Sequence, residues 1–231
     1  FVQRAVAAIE YIVEPVDRHG AWVVYDAAME RIRFDGQPVA HPGAHDGLAD
    51  RTITIGSASK ELRMIGWRVG WVSLSGARDA LAEIHHALDL LASLRLCANV
   101  PGQWAVAPAL NGPDTMTALT APGGRLFEAR RAVLDHCAQS GFLDIVAPQG
   151  ALYAFPSVRA EVFPDFDDHA FALQLLETEN VLIVPGRGFN IVEPNQFRAT
   201  LLPPPAQLRE VFARIECCLE SMASTRQRHV A

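Results

Sequence analysis

Thr52-Ile53-Thr54-Ile55-Gly56-Ser57-Ala58-Ser59-Lys60-Glu61-Leu62-Arg63-Met64-Ile65-Gly66-Trp67-Arg68-Val69-Gly70 decides how this chain is read. The four β-branched residues at its start mark a strand, and Gly56 ends the run. A loop of small hydroxyl residues then delivers Lys60, the only lysine in the chain; the other 19 of its 20 basic side chains are arginine. Lysine offers what arginine does not, an amine able to lose its proton near neutral pH and attack a carbonyl. A lysine-poor composition leaves a survivor by chance at an ordinary loop position. This one follows a strand, stands beside Ser57 and Ser59, and has Arg68 eight positions on, which argues for chemistry.

Outward from that stretch, Ala21-Trp22-Val23-Val24-Tyr25-Asp26 is a short apolar run ending in an acid. It predicts a buried strand with a carboxylate at its C-terminal end, where open α/β sheets place their ligand sites. Residues 67–72 predict a third strand, with Trp67 and Trp71 in the core. Arg31 to Phe34 alternates and predicts an exposed strand or loop edge, and Pro38 to Gly47 a surface loop. Helical spacing predicts helices from Val2 to about Val16 with a stop at Gly20, from Gly76 to about Leu96, from Pro101 to about Leu110, and after Gly124. In the second of these, Leu81, Ile84, Leu88, Leu91 and Leu94 share one face. Further on, strands are predicted over 142–146, 151–155, 181–184 and 197–202, with helices over 169–179 and 205–222. The alternation predicts an α/β portion over residues 1–120 and a smaller α+β domain over 121–231. The chain opens at Phe1 inside an uncapped helix, which places the natural start further upstream.

Half of the 231 residues are apolar, enough for a substantial core. A net charge of −6, an isoelectric point of about 5.7 and no block of like charges argue against nucleic acid or an anionic membrane as partner. No apolar run approaches the roughly 20 residues needed to span a bilayer. Cys97, Cys137, Cys217 and Cys218 have neither metal-ligand nor disulfide-framework spacing, so a reduced, cytoplasmic setting is expected. Gly186-Arg187-Gly188-Phe189 lacks the third glycine of a dinucleotide loop, and His85-His86 reads as a solvated helix face.

Taken singly, Asp26 is a turn residue, Arg68 a surface cation and Ser57 a loop hydroxyl. Jointly with Lys60 they complement a molecule bearing an aldehyde, a phosphate and a pyridine nitrogen. Lys60 suits the aldehyde, Ser57 and Arg68 the phosphate, and Asp26 the protonated ring nitrogen. Pyridoxal phosphate (PLP) is that molecule.

The segment Ser57 to Gly70 resembles the lysine-loop signature of class I/II (fold-type I) aminotransferases. Asp26 to Gly36 is similar to the strand and loop carrying the pyridine-binding acid. Gly150 to Phe155 resembles the first strand of the family's small domain, and Phe197-Arg198 before Leu201-Leu202-Pro203 its substrate-carboxylate site. Arg95 to Gln103 and Pro122 to Leu126 are most similar to the alanine (glutamate–pyruvate) aminotransferase branch. The resemblance implies the C-terminal part of a fold-type I large domain followed by a smaller α+β domain. It implies Lys60 as the Schiff-base lysine, Asp26 on the pyridine nitrogen, Ser57 and Arg68 on the phosphate, and Arg198 on the substrate α-carboxylate. It further implies ping-pong transfer of an amino group between an amino acid and a 2-oxo acid in a homodimer, with Arg95 and Asn99 approaching the partner's site.

Two departures accompany it. Met29 stands where the family usually has a tyrosine, whose hydroxyl holds the cofactor's phenolic oxygen. The family's N-terminal arm, phosphate-binding loop and ring-stacking aromatic have no counterpart in these 231 residues; if they were the whole protein, weak cofactor binding and a sheet short of central strands would be expected. A PLP-dependent lyase or cyclase on the same fold, and a non-catalytic effector-binding module, remain as alternatives.

Overall fold

The apolar residues Ile9, Ile12, Val13 and Val16 recur at helical spacing, and in the computed structural model they turn one face of helix α1 (Ala5–His19) inward. The structure describes residues 5–191 and 194–230, so the predicted helix start at Val2 lies outside the described residues. α1 ends at Gly20, whose φ of +59° suits glycine. Ile9 and Val16 pack with fully buried Leu48, and with Val23 of the first strand.

The chain divides into two compact units, residues 1–118 and 119–231. In the first, β1 (Val23–Asp26) lies parallel to β2 (Thr52–Ser57), and β3 (Gly70–Leu74) runs antiparallel on β2's other side. Strand pleating separates the side chains into two faces. Thr52, Thr54 and Gly56 face inward and are buried. Thr52 Oγ1 donates to Leu48 O at 2.8 Å, and Thr54 Oγ1 meets His41 Nε2 at 3.3 Å. The ring of Trp71 lies on Gly56, where a Cβ would come within 2.1 Å of it.

The other face carries Val24 and Asp26 of β1, Ile55 and Ser57 of β2, and Val72 of β3. It is open: Val24 is 63% exposed, Ile55 40% and Val72 50%. The buried strand predicted over 21–26 is therefore covered on one side only, and Asp26 is exposed rather than buried. Another expectation changes. Residues 65–67 form a single 3-10 turn, so the third strand starts at Gly70 and Trp67, freed from strand alternation, is 45% exposed. Of the two readings for Arg31 to Phe34, the structure shows the loop edge, with Ile32 buried within it.

Two helices complete this unit, α2 (Ala82–Arg95) and α3 (Val100–Leu110). The predicted apolar face of α2 forms but is only partly covered: Ile84 and Leu88 are half-buried and no residue of α2 is fully buried, whereas Leu81 just before it is. A short helix α4 (Thr115–Thr120) runs into the second unit.

That unit is α+β. Helices α5 (Arg125–Gln139), α6 (Asp168–Glu179) and α7 (Pro205–Val230) accompany short strands β4 (Leu143–Ile145), β5 (Tyr153–Ala154), β6 (Pro156–Val158), β7 (Val184–Pro185) and β8 (Phe197–Thr200). β4 pairs with β6, and β8 lies between β5 and β7, all antiparallel. Most of the strand predicted over 181–184 is loop, although Val181 and Ile183 are buried. Phe171, Phe197, Phe212, Leu143, Leu175 and Leu219 form its solvent-free core. Ser140 Oγ donates to both Glu216 oxygens at 2.9 and 2.7 Å while accepting from Phe142 N and Leu143 N, which fastens the end of α5 to α7. His136 meets the same carboxylate at 3.3 Å but not Ser140, so the trio is a brace and not a catalytic relay.

Gly56→Ala forces Trp71 out of its seat. Overpacking of this kind costs about 1–3 kcal/mol, read as a lowered midpoint of urea unfolding with an unchanged slope.

Candidate active site

Asp26 and Ser57 close their strands at the same end of a parallel pair and on the same, open face. Asp26 pairs with Ile55, two residues before Ser57, so pleating brings carboxylate and hydroxyl to one side. Asp26 Oδ1 accepts Ala28 N at 3.0 Å, a turn contact that fixes the carboxylate. Ser57 Oγ accepts Ser59 N at 3.2 Å.

Lys60 follows in a tight loop. Ala58 N donates to Val69 O at 3.1 Å, Met64 N to Ala58 O at 3.0 Å and Arg63 N to Lys60 O at 3.2 Å, with Ala58 wholly buried at its root. Lys60 itself is half-buried, and among the described residues no carboxylate forms an ion pair with its amine. Arg63 and Arg68 both adopt left-handed φ, +55° and +51°. Such conformations are costly for non-glycine residues and cluster where a site needs them. At Arg68 the turn folds the guanidinium back over the loop, where Nη1 donates to Ser59 Oγ at 3.4 Å and to Ile65 O at 3.2 Å.

Sequence reasoning missed what holds that turn. Asn99 Nδ2 donates to Trp67 O at 2.6 Å while its Oδ1 accepts Gly102 N at 3.1 Å, capping α3. Val69 lies so close to Gly102 that a Cβ there would stand 2.4 Å from Val69 Cγ2. Arg68 is thus flanked by two residues pinned to the start of α3. An Asn three residues before a glycine, next to a proline at a helix start, was the available signal.

Beside the lysine loop, Glu61 Oε1 accepts Arg31 N at 2.6 Å. Burial raises the Glu61 pKa above its ordinary value; the Arg31 contact opposes the shift, and the charges of Glu30 and Asp114 reinforce it. Tyr25 is pushed up to about 12 by burial and by Glu30. Its ring packs edge-on against His41, on the sheet face opposite Asp26, so it does not replace the hydroxyl that Met29 lacks.

The structure therefore brings Asp26, Ser57, Lys60 and Arg68 together at one end of the first sheet. Arg198 belongs to the second unit, on β8, half-buried. A fixed carboxylate on an open face, an amine without an anionic partner, and a hydroxyl and guanidinium in the same loop suit an aldehyde-bearing pyridine phosphate. The donor set fits PLP.

Residues 5–215 match the family Aminotransferase class I and II. The chain belongs to this family. It is 36% identical over 209 residues to glutamate-pyruvate aminotransferase AlaA of Haemophilus influenzae, covering 90% of this chain and 51% of that protein. It is 33% identical over 231 residues to an alanine aminotransferase of Mycobacterium tuberculosis, covering 96% and 52%. The structure is similar to a crystal structure of an aminotransferase from Escherichia coli, with a TM-score of 0.84 and 33% identity over 92% of this chain and 52% of that one. The chain thus spans about half the length of the relatives it matches. The α/β fold class expected from the lysine loop holds for this family member. Among the described residues, no helix is long and apolar enough to cross a membrane.

Glu61 has a folded-state pKa above its unfolded one, so its contribution is present at low pH and is lost as pH rises from its ordinary value of 4.5 through the folded value. Glu61→Gln should raise the melting temperature at pH 7 and leave it unchanged near pH 4, as a calorimetric pH series would read. Asn99→Ala should cost about 1 kcal/mol through the lost cap, with faster amide exchange at Trp67 and Val69 as its local signature.

Proposed function

We propose that this chain carries the lysine-bearing half of a PLP-dependent aminotransferase that moves an amino group between an amino acid and a 2-oxo acid. Alanine and glutamate with their oxo acids are the substrates favoured, because the relatives described above are named for them. The observation that carries the reading is the Lys60 amine, unpaired by any described carboxylate, in one loop system with Ser57 and Arg68 and at the same strand ends as Asp26.

When bound, PLP supplies an electron sink that withdraws electron density from the substrate Cα. Asp26 holds a proton on the pyridine nitrogen through its carboxylate. Ser57 Oγ and the Arg68 guanidinium bind the phosphate oxygens, the latter with its planar fork. Lys60 Nζ would hold the aldehyde in the resting site and, once free, would move a proton between the substrate Cα and the cofactor's carbonyl carbon. Arg198 binds the substrate α-carboxylate, for which a planar bidentate fork suits better than a point charge. Two half-reactions in sequence, amino acid in and oxo acid out and then the reverse, give the ping-pong order.

A homodimer is part of this proposal. The exposed apolar row Leu91, Leu94 and Leu96, with Trp104 of α3, supports it, since such a row on a soluble chain marks an interaction surface. Cytoplasmic location belongs to the same reading, supported by four unpaired cysteines.

Borohydride treatment of the PLP-loaded protein, followed by peptide mapping, should place the reduced pyridoxyl group on Lys60. Lys60→Arg should abolish the adduct, while Arg198→Lys should keep it and lose amino-acid turnover. An adduct on any other residue overturns the assignment.

A further inference from the structure

Arg198 is held differently from a surface arginine. Its guanidinium carbon lies over the Tyr153 ring at 4.4 Å and over the Phe189 ring at 4.9 Å, and no carboxylate among the described residues pairs with it. Tyr153 reaches it across the sheet: it pairs with Thr200, two residues from Arg198 on the same face of β8. Phe189 comes from a separate segment, the end of the 3-10 turn Gly186–Phe189.

That turn is fastened from below. Arg187 N donates to Asp168 Oδ2 at 2.7 Å, its Nε to Asp168 Oδ1 at 2.5 Å and its Nη2 to Asp167 Oδ1 at 2.7 Å. Asp168 is completely buried, and Asp167 caps α6 through His169 N and Ala170 N, both at 2.9 Å. At the turn's other end Gly186 N donates to Gln196 O at 2.9 Å, so close that a Cβ on Gly186 would stand 2.5 Å from that oxygen. Phe155 packs edge-on against Phe189 at 5.4 Å.

An aromatic face attracts a guanidinium without using any of its N–H donors, whereas a carboxylate neighbour would occupy the fork and cancel its charge. Rings therefore orient the cation and leave its donors for a carboxylate from outside. Arg187 is exposed, but its partner Asp168 is not, so drawing Arg187 away would strand a carboxylate out of water and the turn tolerates little displacement.

We propose that Tyr153 and Phe189 are positioning residues for a carboxylate-binding fork at Arg198, and that the pairing of Arg187 with buried Asp168 sets the position of Phe189. The inference rests on the reading of Arg198 as the α-carboxylate site and adds how that site is preformed.

Succinate is the probe, because it has no carbonyl for Lys60 to attack. The 231-residue chain is titrated in 1H–15N NMR, with backbone amide shifts giving the affinity and the Arg198 Nε–Hε signal, identified by Arg198→Lys, reporting on the guanidinium. Phe189→Leu should weaken succinate binding about fivefold and move the Arg198 signal downfield as ring-current shielding is lost. Phe189→Tyr should restore both, and Asp168→Asn should reproduce the Phe189→Leu result. Phe189 is 42% exposed, so leucine there leaves the core intact, and an unchanged melting temperature verifies this. Succinate affinity that is absent, or unaltered by Arg198→Lys, overturns the carboxylate reading itself. Affinity lost in Arg198→Lys but kept in Phe189→Leu overturns the positioning role alone, and full affinity in Asp168→Asn overturns the brace.

Discussion

Strand pleating sends successive side chains to opposite faces, and in the first unit everything chemical follows from which face is covered. Pairing of Asp26 with Ile55, and of Ile55 with Val72, puts Asp26 and Ser57 on the face away from Leu48 and His41. The covered face is tied down by Thr52, Thr54 and the Trp71 ring on Gly56. A shift of one residue in register would turn Asp26 inward and leave a buried carboxylate without a partner, which is far more costly than exposing two valines. The rigid side thus holds the register on which the reactive side depends.

From that register the lysine loop inherits its shape. Ser57 ends β2, Gly70 begins β3, and the two are register partners, so the excursion through residues 58–69 starts and finishes at one point. Within it the left-handed residues Arg63 and Arg68 make the turns that return the chain. Neither is glycine. The turn at Arg68 is held by its neighbours Trp67 and Val69, pinned to Asn99 and Gly102 at the start of α3. The cost of two unusual backbone angles is offset by a guanidinium aimed at its own serine loop.

The second unit solves a different problem with different means. Its aromatic core runs from Phe163 through Phe166 and Phe171 to Phe197, one residue before Arg198. An apolar anchor at one position and a cation at the next, on opposite sides of a short strand, carry core rigidity to the surface. The two units therefore hold their cations in contrasting ways, one by a strained turn and hydroxyls, the other by rings.

Lys60, Asp26, Ser57 and Arg68 were singled out as candidates by residue type and spacing, because a lone lysine after a β-branched run and an acid at a strand end are local features, and Arg198 by resemblance alone. So were α5, α6 and α7, whose periodicity is unambiguous. Exposure was not legible: an apolar strand has the same composition whether one face or both are covered, so Asp26 was expected inside and lies outside. Nor was the start of β3, since Trp67-Arg68-Val69 alternates like a strand but is bent by the left-handed angle at Arg68. The sequence by itself determined the family and the fold class and singled out the candidate reactive groups, because these are written in local chemistry. Only the tertiary structure decided that Asn99 secures the Arg68 turn and that Asp168 and Arg187 sit beneath Phe189. Those pairings join residues 19 and 32 positions apart, and contact between distant segments is a property of packing that no local pattern encodes.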